Sequence, residues 1–273
     1  MVWKKTHPSQ PKSTEAVITR SVLDKRVVDL STSRSTSGQN VSFLHRFSEF
    51  NETNPNSCVE IVLQMGKLDM ATNAKLAFLR TEEQLGYIVH TSVKTSGDHI
   101  KGLLFLIQSD SFDPIHVEER IEVFLANFRQ RILDLTEEEF QTNVDTVVAS
   151  FLEKNKNLGE ESSRYWHVIQ NKTFQFRRMQ LIAEQVKQLS KSQVLQFFDK
   201  YVAVNGPCRH KLCVQVVAKQ HEEVVKKKDE ENEDSKDSII RIDNPAEFKR
   251  SMPLFAMPSK VETEVVDLGI QKG

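Results

Sequence analysis

Leu79-Arg80-Thr81-Glu82-Glu83-Gln84-Leu85-Gly86-Tyr87-Ile88-Val89 carries this chain from a helix into a β-hairpin. Upstream, Asp69–Phe78 favours a short helix. Asp69 is a good capping residue, and Ala71, Ala74, Lys75 and Ala77 are helix formers. Downstream, Leu85–Val93 and Ile100–Gln108 are β-rich. They flank Lys94-Thr95-Ser96-Gly97-Asp98-His99, a hairpin signal. The run itself sets a guanidinium and a phenol on either side of Gly86, with Tyr87 opening the apolar stretch.

Further out, Val41–Phe50 and Cys58–Met65 alternate on either side of the turn Asn51–Ser57, which suggests an antiparallel pair. In the second segment Ile61 and Leu63 share one face, and Glu60, Val62 and Gln64 share the other. From Asp113 the period lengthens. Val117, Ile121, Phe124, Leu125, Phe128 and Ile132 form a helical stripe. Thr136-Glu137-Glu138-Glu139 is a capping box for a second helix, whose apolar face is Phe140, Val144, Val147, Val148, Phe151 and Leu152. Further helices are predicted over Gly159–Ile169, over Phe176–Leu189, and from the Ser190–Gln193 box to about Val202. Asn205-Gly206-Pro207 stops the last one, and Leu212–Ala218 returns to strand. Strands therefore segregate from helices, which predicts an α+β fold with an antiparallel sheet and several helices packed on one face.

The expected organisation has residues 1–40 as a linker or a remnant of a preceding domain, and 41–219 as the main domain. Residues 220–240, a run of mixed charge, are expected as a disordered loop. Residues 241–273 form a tail whose first part, through Phe248–Phe255, docks back on the domain.

Composition narrows the function. A chain of 273 residues with 38% hydrophobic and 27% charged residues and a net charge of -1 reads as globular. It has no global attraction to nucleic acid or anionic membrane. No segment approaches the roughly 18 apolar residues that span a bilayer. No apolar stretch follows the charged N-terminus, and Gln271-Lys272-Gly273 is not a peroxisomal address. Cys58, Cys208 and Cys213 do not make a disulfide framework, so a reducing compartment, the cytoplasm, is expected.

Most catalytic devices are missing. Neither zinc-binding H-E-x-x-H nor its inverse H-x-x-E-H can be written from the eight histidines. His116-Val117-Glu118-Glu119-Arg120 comes nearest, but an arginine stays protonated and cannot ligate metal. Its carboxylates read as the solvated face of a helix. G-x-S-x-G and the glycine-rich phosphate loops are absent. Cys208 and His210 are merely local neighbours. Arg80 and Tyr87 remain. On chemistry alone two descriptions fit them. Arg80 can pair with Glu83 while Tyr87 sits half-buried in a strand, or the guanidinium and phenol can donate to a peptide carbonyl and a developing oxyanion.

The run Leu79–Val89 closely resembles a signature of the insulin-degrading enzyme (insulysin) and nardilysin family of zinc peptidases. Collinear matches support the resemblance: Cys58-Val59-Glu60-Ile61, Thr136-Glu137-Glu138-Glu139-Phe140, Tyr165-Trp166, Arg209-His210-Lys211, and Glu247-Phe248-Lys249-Arg250 leading to Pro253-Leu254-Phe255. They cover about residues 41 to 258. In that family two bowl-like halves enclose a peptide chamber, and the N-terminal half holds zinc. The resemblance implies that this chain is similar to the fourth domain, in the metal-free C-terminal half. It assigns substrate and transition-state contacts to Arg80 and Tyr87, with no catalytic nucleophile or base and no metal ligand in this chain. Zinc is expected on the N-terminal half, which is the implied partner together with the peptide substrate. Alone the chain is expected to be inactive. A non-catalytic peptide-binding or regulatory module is the alternative. Two departures stand out. The family's helix before Leu79 is several turns longer than Gly66–Phe78 allows, and His90 stands where relatives often carry an aromatic residue.

Overall fold

Apolar alternation builds a six-stranded sheet, and the longest strand lies near its middle. The computed structural model describes residues 26–33, 40–82, 89–97, 100–170, 174–231 and 239–256. The strands are β1 (Ser42–Ser48), β2 (Ser57–Lys67), β3 (Val89–Ser96), β4 (Ile100–Ser109), β5 (His210–Val217) and β6 (Ile239–Arg241), in the order β3-β4-β2-β5-β1-β6. β3 and β4 form the expected hairpin, in register from Val89↔Ile107 to Ser96↔Ile100. β2 runs antiparallel to β4 on one side and to β5 on the other.

The expected pairing of β1 with β2 is corrected. β5 lies between them, and β1 pairs with β5 and with β6 in parallel, so the sheet is mixed. The reason is burial on both faces of β5, where Cys213 packs into one apolar cluster and Leu212 against another. Such a strand belongs inside a sheet. The asparagine turn is present, with Thr53 N donating to Asn51 Oδ1, but it spans the width of the intervening strand. The α+β class stands.

The helices are α1 (Met70–Glu82), α2 (Pro114–Asp134), α3 (Glu137–Leu152), α4 (Leu158–Gln170), α5 (Arg178–Val186), α6 (Lys191–Tyr201), α7 (Glu222–Glu231) and α8 (Pro245–Ser251). The buried stripe of α2 is Val117, Ile121, Leu125, Phe128 and Ile132. Both predicted capping boxes close, Thr136 with Glu139 and Ser190 with Gln193. Each N-cap of this kind contributes about 1 kcal/mol. α1 and α2 contact the sheet, α5 packs against both α1 and α3, and α6 against α1 and α2. The core between them includes Ile61, Leu63, Phe78, Phe105, Phe128 and Phe198, all essentially inaccessible to water. Gly102 lets β4 approach β2, because a Cβ there would meet the Leu63 carbonyl oxygen at 2.8 Å.

The opposite face of the sheet is covered at its β1 side. Leu30, Val41, Phe43 and Ile242 form a second cluster, with Phe248 of α8 against Phe43 at a ring separation of 5.2 Å. Part of the leading stretch takes part. Val28 bridges to Leu254, and the Gln64 side chain accepts from Leu30 N at 3.0 Å while donating to the Val28 carbonyl at 2.9 Å.

The charged stretch expected as a loop is, over Glu222–Glu231, the helix α7. Its ion pairs explain the difference. Lys228 meets Asp113 at 2.9 Å, Asp229 meets Arg46 at 2.6 Å, and Val225 is buried. Alternating charges that look solvated in sequence have partners on other elements. Residues 232–238 lie outside the described residues.

Candidate functional site

The run that joins α1 to β3 carries the two residues singled out in the sequence. Arg80 lies in the last turn of α1, where the backbone is described and its side chain is not, and Tyr87 lies outside the described residues. The ground on either side is firm. Phe78 and Leu79 are fully buried, and the Phe78 ring packs on Phe140 at 5.0 Å. After the run, β3 is the terminal strand of the sheet among the described residues, where it is hydrogen-bonded only to β4. An edge strand presents a row of free backbone donors and acceptors. The Thr91 hydroxyl of β3 is buried without a partner among the described residues. His90 is exposed, opposite Leu106. A charge pair between Lys94 and Glu60 ties β3 across β4 to β2.

A second constellation was not foreseen. Glu118 and Glu122 of α2 lie over β5, where Lys211 Nζ contacts both, at 2.5 and 2.6 Å. Arg209 donates through Nη2 to both Glu122 oxygens, at 2.8 and 2.7 Å. Gln215 donates to Glu118 at 2.5 Å and accepts from Arg46 Nε at 2.6 Å. Arg46 and Arg241 both hold Asp229. Burial pushes the Glu122 carboxyl up, but Lys211 and Arg209 hold it below its ordinary range. Burial likewise pushes Lys211 down, and Glu118 and Glu122 outweigh it to raise the ammonium. Burial and then Glu118 push the Cys213 thiol well up, which makes it a poor nucleophile. The carboxylates read as a solvated face are thus divided, Glu119 exposed and Glu118 turned to the sheet. The available signal was Lys211, Cys213 and Gln215 alternating along β5 on its helix-facing side.

Beside this network lies a cavity of about 320 Å³ bounded by β1, α2, α7 and β6. Among its lining, Arg46, Glu118, Glu122, Asp229 and Arg241 are ion-paired, and Glu119 is exposed. No three His, Cys, Asp or Glu side chains converge as metal ligands among the described residues. His45 contacts the Ile242 carbonyl and His221 the Ser57 hydroxyl, each a structural bond. These residues do not fit a zinc ion. No helix of the described residues is long and apolar enough to cross a membrane.

The fold, an α+β sheet with helices stacked on one face, is that of pitrilysin-type peptidase domains. The crystal structure of pitrilysin matches 85% of this chain and 24% of its own at a TM-score of 0.59 and 20% identity. Residues 69–166 match the family described as PQQ synthase PqqF-like, C-terminal lobe domain 4. An insulin-degrading enzyme-like 1, peroxisomal protein of Arabidopsis thaliana is 32% identical over 245 residues, 85% of this chain and 24% of that protein. The insulin-degrading enzyme of Homo sapiens is 31% identical over 231 residues, 77% of this chain and 22% of that protein. The chain belongs to the insulin-degrading-enzyme family of peptidases. It spans about a quarter of the length of those relatives.

Proposed function

We propose that this chain is the C-terminal substrate-holding domain of an insulin-degrading-enzyme-like zinc endopeptidase. In this proposal a peptide lies against Arg80 and Tyr87, opposite a zinc site on the N-terminal half. The observation that carries the proposal is topological: the Arg80–Val89 run leads from a buried helix end directly into the free edge of the sheet. A peptide that adds as a further strand beside β3 gains main-chain hydrogen bonds. Arg80 would then hold a carbonyl of the peptide. Tyr87 would donate to the oxygen of the carbonyl under attack, where a hydrogen bond strengthens as charge develops. Zinc, bound by the other half, would supply the activated water. The chain alone would be inactive. Three free cysteines, none of them paired, support the cytoplasm as the proposed compartment.

Reconstitution with a zinc-bearing half tests the assignment. The Tyr87→Phe variant is expected to lose about 100- to 1,000-fold in kcat, the range for removing one oxyanion donor, with little change in KM. Wild-type turnover in that variant overturns the role of the phenol. The module alternative, in which the same edge binds extended peptides without any cleavage, is favoured if peptide affinity persists and no zinc-bearing half restores hydrolysis.

A further inference from the structure

Eight of the sixteen exposed large apolar side chains among the described residues fall between positions 152 and 179. Trp166 is 63% exposed and Leu158 79%, with Tyr165, Ile169, Phe174 and Phe176 beside them. Leu158, Tyr165 and Ile169 lie on one stripe of α4. The Tyr165 and Phe176 rings stand 6.0 Å apart and join that helix to the approach of α5. A concentration of this kind marks a surface built to be covered.

Cations outnumber acids around this face. A groove of about 460 Å³ is lined by Lys154, Arg164 and Arg177 against Glu153 and Glu161, with Tyr165 and Phe176 beside them. Arg178 opens α5 and donates to the Gln175 side chain at 3.2 Å. Lys101 of β4, within reach of the Arg178 charge, donates to Thr95 Oγ1 at 2.6 Å. None of Lys101, Arg164, Arg177 and Arg178 is ion-paired with a carboxylate of the described residues. Burial first, and then Arg178, push the Lys101 ammonium down to about 8. An acid brought from elsewhere would relieve the cost of holding these cations together.

The chain contains a segment of matching chemistry. Val261-Glu262-Thr263-Glu264-Val265-Val266-Asp267-Leu268-Gly269-Ile270 mixes five aliphatic side chains with three acids and no base. It follows the last described residue, Ala256, by a few positions. Phe255 lies near Gly66 on the underside of the sheet, and Gly66 pairs with Lys101, so the chain leaves the described fold at the end of β2 and β4 where Lys101 lies. The fourteen residues from 257 to 270 can span about 45 Å when extended. A tether of this length keeps the segment at an effective concentration on the order of millimolar.

We propose that the acidic, aliphatic segment Val261–Ile270 docks intramolecularly on the aromatic and arginine-bearing face of α4 and α5. This does not depend on the peptidase role of Arg80 and Tyr87. The same face then accepts acidic, aliphatic peptides in general, and such a peptide from another protein competes with the chain's own segment.

Trp166 is the probe, in the full chain carrying Trp3→Phe, because the sequence has only two tryptophans. Acrylamide quenching of Trp166 is expected to rise about threefold in the Glu262→Lys, Glu264→Lys, Asp267→Lys variant. Adding Arg177→Glu and Arg178→Glu to that variant is expected to restore protection, since the charges are then exchanged. Without any substitution, 1 M salt is expected to raise quenching in the parent chain by screening the contact. Quenching that is unchanged by the charge reversals and by salt overturns the proposal. Protection that grows with protein concentration also overturns it, because a second copy then covers the face.

Discussion

At one margin of the sheet β6 contributes three residues, and Arg241, Asp229 and Arg46 bind it to α7 and β1. At the other margin β3 contributes eight, paired with β4 along its length, and among the described residues one charge pair, Lys94 with Glu60, reaches past β4 to β2. A short, charge-flanked edge offers little for another strand to pair with, whereas a long one invites pairing. The β6 side is bound by paired charges, and the β3 side is the one on which the proposed peptide would add. Glu122, Lys211 and Arg209 show what holds charge on the first side: each is expensive to bury alone and tolerable only in company.

The comparison breaks most severely at Glu122. Replacing it with Ala strands Arg209, whose side chain is 7% exposed, leaves Lys211 with Glu118 alone, and should reduce the unfolding free energy by about 3 kcal/mol in urea titration. Its titration adds a sign. Glu122 in the folded chain ionises below its ordinary value of 4.5, so its contribution is complete above that pH and fades as pH falls through the lower folded value. The variant should therefore lose part of the parent's acid sensitivity. Arg46→Met is expected to cost about 2 kcal/mol, since Gln215 loses its donor and Asp229 keeps only Arg241. At the open margin Lys94→Ala should cost less than about 1 kcal/mol, because both partners are more than a third exposed or nearly so. A loss at Lys94 as large as that at Glu122 would erase the distinction between the two sides.

Legibility followed the range of the interactions. The stripes of α2 and α3, both capping boxes and the β3–β4 hairpin rest on contacts within a few residues, and the sequence displays them directly. The neighbour of β1 depends on a strand more than 160 positions away, which no local pattern announces. α7 reads as a loop in sequence for the same reason, since its Lys228 and Asp229 find their partners in Asp113, the N-cap of α2, and Arg46 of β1. Glu118 and Glu122 looked like solvent-facing charges until Lys211 was brought beneath them. Around the candidate site, the helix before the run and the hairpin after it are where the pattern put them. Arg80 belongs to a helix end anchored by Phe78 and Leu79, whereas the position of Tyr87 lies outside the described residues.

Gln64 has a consequence for anything attached upstream. Its amide grips the backbone at Val28 and Leu30 as a neighbouring strand would, and Asp29 N donates to the Pro253 carbonyl at 2.9 Å. The backbone over Val28–Leu30 is thus moored, and a domain attached upstream would take its bearing from the underside of the sheet. Cutting that mooring, with Gln64 changed to an aliphatic side chain, would leave the domain folded while changing the direction in which its predecessor points.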